Sequence, residues 1–143
     1  MFKSTYMWWL FALLSALFAA LTAVFAKVGI KGVDSDLATA LRTVIILIVA
    51  WLIVFLRNGV TSINTLSKQN ILFITLSGIA TGLSWIFYFK ALQLGKVSQV
   101  APVDKLSVAL AIILSVVFLG EALTLKTAIG ALLIIAGTLV LIF

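Results

Sequence analysis

Five long apolar runs, separated by short polar connections, organise this chain. The hydrocarbon core of a bilayer is about 30 Å thick and takes about 20 consecutive apolar residues of α-helix at about 1.5 Å per residue. The pattern predicts such helices over Tyr6–Ala26, Ser35–Leu56, Asn70–Leu94, Ser98–Leu119 and Thr124–Phe143. The first carries no charge, the second is interrupted by Arg42, the third holds Lys90 near its end, and the fourth holds Asp104 and Lys105. Between them, Lys27–Asp34 contains Gly29 and Gly32, and Arg57–Gln69 contains the turn signal Asn58-Gly59. Gly95-Lys96 and Gly120–Leu123 separate the later spans. None of these connections is long enough for a water-soluble domain, so a single transmembrane domain over 1–143 is expected. The fold class is all-α: a five-helix membrane bundle whose odd number of spans puts the termini on opposite sides.

Composition sharpens this picture. Charged residues make up 10% of the 143 residues and hydrophobic ones 64%, whereas a soluble domain needs about a quarter of its residues charged to cover its surface. The lipid bilayer is therefore the first partner. The chain has no His and no Cys, and its only carboxylates are Asp34, Asp36, Asp104 and Glu121. The commonest general base and the commonest metal ligands are missing, so no catalytic residue, metal site or cofactor is expected. A net charge of +6 would suggest nucleic acid in a soluble protein. Here the basic residues are scattered singly between apolar runs, as in helix ends that snorkel to headgroups, and nucleic acid is not expected as a partner.

Lys3 ahead of the first run resembles a signal-peptide n-region, but the run is longer than the usual apolar segment of a signal and Ala23-Val24-Phe25-Ala26 is a poor cleavage site. A retained helix is expected. Orientation is balanced. Lys3, Arg57, Lys68 and Lys126 fall on the N-terminal side and Lys27, Lys31, Lys90 and Lys96 on the other, so the positive-inside rule selects neither. One reading is insertion in both orientations, with two copies pairing antiparallel as an inverted repeat. The other is a bias that the count does not register, such as helix hydrophobicity. Gly78-Ile79-Ala80-Thr81-Gly82, the Ser15, Ala19, Ala23 series, and Gly130 with Gly137 supply small faces for close helix packing.

The ionisable residues within spans are the functional candidates, because immersion of a charge in hydrocarbon costs several kcal/mol on insertion scales, about 3 for Arg or Asp. Arg42 and Asp104 each lie six residues past the same end of their spans, about 9–10 Å deep, so they can meet at one level. Lys90 is about one turn inside the same end, and Trp85 and Tyr88 are deeper. Asp104, Ser107, Ala111 and Ser115 share a small, partly polar face, and Lys105 points about 100° away from it. Pro102, read as lying near the start of the fourth helix, should lose little. Arg42, Trp85, Tyr88, Lys90, Asp104, Lys105 and Ser107 are thus the candidate substrate or ion site. A purely structural role, with Asp104 neutralising Arg42 or Lys105, stays open beside it. Trp8 and Trp9 suit an interfacial belt, and Glu121 is expected to cap the start of the fifth helix.

Phe89-Lys90-Ala91-Leu92 with Gly95, then Val100-Ala101-Pro102-Val103, Leu119-Gly120-Glu121-Ala122-Leu123-Thr124, Ile129-Gly130 and Ala136-Gly137 resemble the EamA-type domain of the drug/metabolite transporter superfamily. The run from Ala101 to Val108 is similar to its five-helix bacterial and archaeal branch. The resemblance implies a multi-pass protein of a prokaryotic inner (plasma) membrane, and a domain equivalent to half of a ten-helix inverted-repeat transporter. It would work as a homodimer, a secondary carrier of a small metabolite by alternating access. The basic excess of the candidate site favours an anionic or zwitterionic substrate. The superfamily's small multidrug exporters use a Glu in the first helix, and the first span here has no acidic residue. The rival expectation is a non-transporting small subunit that stabilises a larger membrane protein.

Overall fold

The computed structural model describes residues 7–143 and folds them into helices and short turns, with no strand among the described residues. The predicted helix start at Tyr6, and Lys3, lie outside those residues. The helices are α1 (Trp8–Gly29), α2 (Ser35–Leu56), α3 (Lys68–Leu94), α4 (Val97–Asp104), α5 (Leu106–Leu119) and α6 (Leu125–Ile142). Five stretches are long and apolar enough to cross a membrane: α1, α2, α3, α6 and Val97–Leu119, which α4 and α5 form together. Large apolar side chains such as Trp8, Leu47, Phe87, Phe118 and Leu133 stand exposed along all of them. Such surfaces match hydrocarbon, where a helix satisfies its own backbone polar groups. The chain is an all-helical, multi-pass membrane protein, as the pattern predicted. Trp8 and Trp9 are exposed at the start of α1, where an interfacial belt would place them.

The described residues form two compact units, one of Ala26–Gln93 and one of 7–25 with Leu94–Phe143. In the first, α2 starts where Asp34 sits in extended geometry and its carboxylate accepts the N–H groups of Asp36 and Leu37, both at 3.0 Å. This is an N-cap satisfying two donors that a helix start leaves open. The buried hydroxyl of Thr39 donates to the Ser35 carbonyl at 2.8 Å, and that of Thr43 to the Thr39 carbonyl at 2.8 Å, so polar groups just inside the span are satisfied locally. The α1–α2 connection is tied to the end of α3: the Lys27 ammonium donates to the Leu92 carbonyl, and the Gln93 amide to the Val33 carbonyl at 2.6 Å. A cation on the last carbonyls of a helix also suits its dipole.

The connection after α2 is more ordered than its polar composition suggested. A 3₁₀ helix spans Gly59–Thr65, launched by Asn58 in the left-handed region at φ 53°. It packs on α2, and its exposed hydroxyls bond the local backbone: Thr61 donates to the Asn58 carbonyl and Thr65 to that of Ser62. Ser67 then accepts the Asn70 N–H at 3.1 Å, which starts α3 at Lys68, two residues before the predicted Asn70.

In the second unit α6 packs on α4 and α5. The fourth span is not one helix. Because α4 already begins at Val97, Pro102 sits in its second turn rather than in the tolerant first one, and the missing N–H leaves the Ser98 carbonyl without its helical partner. The ladder tightens there. The Lys105 N–H bonds the carbonyls of Pro102 at 3.0 Å and Ala101 at 3.3 Å, and the Val108 N–H bonds that of Lys105 at 3.0 Å. The Thr138 hydroxyl of α6 donates to the Pro102 carbonyl at 3.2 Å, a cross-helix bond at the break. The expected cap by Glu121 is corrected: Thr124 caps α6, accepting the Thr127 N–H at 3.2 Å. Glu121 instead belongs to the turn at left-handed Gly120, with its N–H on the Ser115 carbonyl.

The Asp34 cap predicts that Asp34→Ala lowers unfolding free energy by about 1 kcal/mol, whereas Asp34→Asn, which keeps an acceptor, stays within about half of that. Equilibrium unfolding in mixed micelles measures both.

Candidate functional site around Arg42

Arg42 lies in the second turn of α2, and Trp85 and Phe89, four residues apart on α3, share one face at successive turns. The guanidinium carbon of Arg42 lies over both rings, 4.6 Å from each centroid. Phe89 is buried, Trp85 and Arg42 are half-buried, and Tyr88 stacks edge-on against Phe89 with centroids 6.2 Å apart. Tyr88 also lies within electrostatic reach of Arg42.

The rings solve part of the problem that a charge in hydrocarbon poses. A desolvated cation–π contact is worth about 2 kcal/mol, set against an insertion cost of about 3 for Arg. An aromatic face offers no lone pair, however, and the guanidinium carries five N–H donors. Within its own unit no carboxylate comes within ion-pair distance of Arg42. The Asp34 carboxylate is engaged in capping, and Asp36 accepts from Ser35. Among the described residues no buried side-chain nitrogen or oxygen lacks a partner, so the guanidinium nitrogens are open rather than sealed. The result is a positioned cation with accessible donors.

Asp104 and Lys105 belong to the other unit. Asp104 and Lys105 meet as chain neighbours through the reach of the long Lys105 side chain, whose ammonium lies 3.1 Å from the Asp104 carboxylate. Asp104 is half-buried and Lys105 exposed. The predicted stripe below them is mixed, with Ser107 exposed and Ser115 donating to the Ile112 carbonyl at 3.0 Å. Lys90 is exposed on α3, one residue past Phe89.

Depth counting set Arg42 level with Asp104, with Trp85 and Tyr88 deeper; the structure brings Arg42 onto the Trp85 ring, and the Asp104 carboxylate pairs with Lys105. Depth counting passed over Phe89, whose signal was its position one turn from Trp85. A second feature went unpredicted, an open apolar groove of about 280 Å³ between α2 and the 3₁₀ helix, lined by Leu47, Trp51, Val54, Gly59, Ile63 and Leu66.

Comparison with known proteins gives this geometry a context. A protein of Sinorhizobium sp. named "Uncharacterized transporter in cobO 3'region" is 50% identical over 134 residues, which cover 94% of this chain and 95% of that one. No solved structure matches the chain. The family model described as the EamA-like transporter family matches residues 6–143, the whole of the helical framework, and the chain belongs to that family.

Proposed function

We propose that the chain is a secondary carrier of a small anionic or zwitterionic metabolite, with Arg42 as its anchor and two copies pairing antiparallel in a prokaryotic plasma membrane. The observation that carries this reading is the guanidinium of Arg42, 4.6 Å from two ring centroids and with no carboxylate of its unit within ion-pair distance. A charge held inside a span with its donors open is a binding group by default. A structural charge would be neutralised, as Lys105 is by Asp104.

The pairing of two copies answers to the surfaces one chain leaves uncovered. A Cβ added at Gly130 or Gly137 meets nothing within 4 Å, so this close-packing face awaits another surface. Five spans put the termini on opposite sides, and four basic residues on each side leave both orientations open. An antiparallel pair then forms an inverted repeat of identical halves, whose exchange of conformations gives alternating access. In this scheme the domain over 1–143 acts as one half-transporter. Lys105 is held in reserve by Asp104, whose protonation would release it, with Ser107 as the polar residue of that unit, while Trp85, Tyr88 and Lys90 border the substrate beside Arg42.

Arg42→Ala is expected to reduce substrate counterflow in proteoliposomes at least tenfold, with Lys90→Ala changing it less than threefold; equal effects would reject Arg42 as the anchor. Asp104→Asn should remove the dependence of uptake on a pH gradient while substrate binding persists, and unchanged gradient dependence would refute the proton role. Since the chain has no Cys, single cysteines are clean probes of pairing. Mixed Met7→Cys and Phe143→Cys chains should cross-link to each other in membranes. Met7→Cys chains cross-linking among themselves instead would show a parallel pair.

A further inference from the structure

The side chains around Arg42 narrow the anion beyond its sign, a narrowing that rests on the carrier reading. Guanidinium is a permanent single positive charge with a planar fork of donors that matches a carboxylate through two parallel N–H···O bonds. Contact with the rings of Trp85 and Phe89 holds that fork in place before any ligand arrives, which removes much of the ordering penalty of a free Arg side chain.

One cation of this unit lies over the rings. Lys27 is engaged with the Leu92 carbonyl. Lys31 lies in the turn before α2, and Arg57 and Lys68 flank the 3₁₀ helix at the opposite end of the span. Lys90 follows Phe89 by one residue, so it points about 100° from the face that meets Arg42, and it is exposed. A dianionic phosphate or dicarboxylate at Arg42 would leave one charge uncompensated where water is scarce, which is strongly unfavourable.

The floor of the site is apolar and open. Gly78, Gly82, Trp85 and Phe89 follow one another at offsets of four, three and four along a single face of α3. One and two turns below the rings that face has no side chain, and an added Cβ at either glycine meets nothing within 4 Å. A ligand fixed by its charge at Arg42 can therefore lay an uncharged body along Gly82 and Gly78.

We propose that Arg42 is a carboxylate fork for small monocarboxylates, with Trp85 and Phe89 as its positioning residues and the Gly82–Gly78 face as the bed for the apolar part of the substrate. The full chain in detergent, carrying Trp8→Phe, Trp9→Phe and Trp51→Phe, keeps Trp85 as its only Trp and reports binding by emission. Benzoate and butyrate should give saturable changes. Uncharged benzamide should give none, and phosphate and succinate should bind at least tenfold more weakly than benzoate. Arg42→Lys, which keeps the charge but removes the fork, should weaken benzoate at least tenfold. Gly82→Leu should weaken benzoate far more than acetate. The shift of the thermal midpoint of the otherwise unaltered chain by the same ligands repeats the comparison without the Trp substitutions. Benzamide or phosphate binding as tightly as benzoate, an Arg42→Lys chain of unchanged affinity, or no response to any monocarboxylate would overturn the proposal. Counterflow assays separate it from the carrier reading. Saturable counterflow of phosphate or of a cation would sink the monocarboxylate fork and keep the carrier. Benzoate binding through Arg42 with no counterflow of any ligand would keep the fork and sink the carrier.

Discussion

Hydrocarbon offers a polar group no partner, and each feature of this chain answers to that scarcity. Backbone groups are consumed by long helices, and hydroxyls within the spans fold back on carbonyls one turn away, as Thr39 and Thr43 do on α2 and Thr75 and Thr81 on α3. Where the ladder is interrupted, at Pro102, a hydroxyl from another helix arrives to bond the carbonyl. Transmembrane bonds of this kind are worth about 0.6 kcal/mol on average. Their effect here is to permit an irregular backbone at depth, which hydrocarbon otherwise forbids.

The same scarcity sorts the charges. Lys27 is spent on helix carbonyls, and Asp104 and Lys105 neutralise each other as chain neighbours. Arg42 alone among the residues of its span's interior carries charge, and its neighbours are rings. Cation–π attraction stabilises a cation without using its hydrogen-bonding capacity. Rings are therefore suited to a residue that must stay charged, stay oriented and still bind something else.

The five spans were legible because bilayer thickness sets their length and apolar content, which composition displays directly. Depth counting singled out Arg42, Trp85 and Tyr88 as candidates, since a regular helix converts residue number into height, but it set Arg42 level with Asp104 and missed its seat over the Trp85 and Phe89 rings. Three things were not. The 3₁₀ helix at Gly59–Thr65 is braced by Thr hydroxyls on carbonyls three residues back and by a left-handed Asn58, which a polar loop conceals. The break at Lys105 was missed because the place of Pro102 was misjudged: it is the sixth residue of α4 counted from Val97 and the fifth counted from Ser98, past the partnerless N–H groups of a helix start in either case. Glu121 read as a cap because acidic residues favour helix starts, but Thr124, nearer the first turn and able to accept the Thr127 N–H, takes that role.

The contrast between the two charge arrangements bears on how such a protein can hold a ligand and release it. A neighbouring pair such as Asp104 and Lys105 is neutral in itself; it offers a ligand little unless a proton first removes the carboxylate's charge. Arg42 needs no such preparation, since its guanidinium stays protonated at any physiological pH and no carboxylate of its unit lies within ion-pair distance. A ligand carrying one negative charge therefore completes the site, and its departure returns the guanidinium to the rings. Binding of this kind is strong enough to select an anion and limited enough to let it go, because the alternative partner of Arg42 is always present within 4.6 Å.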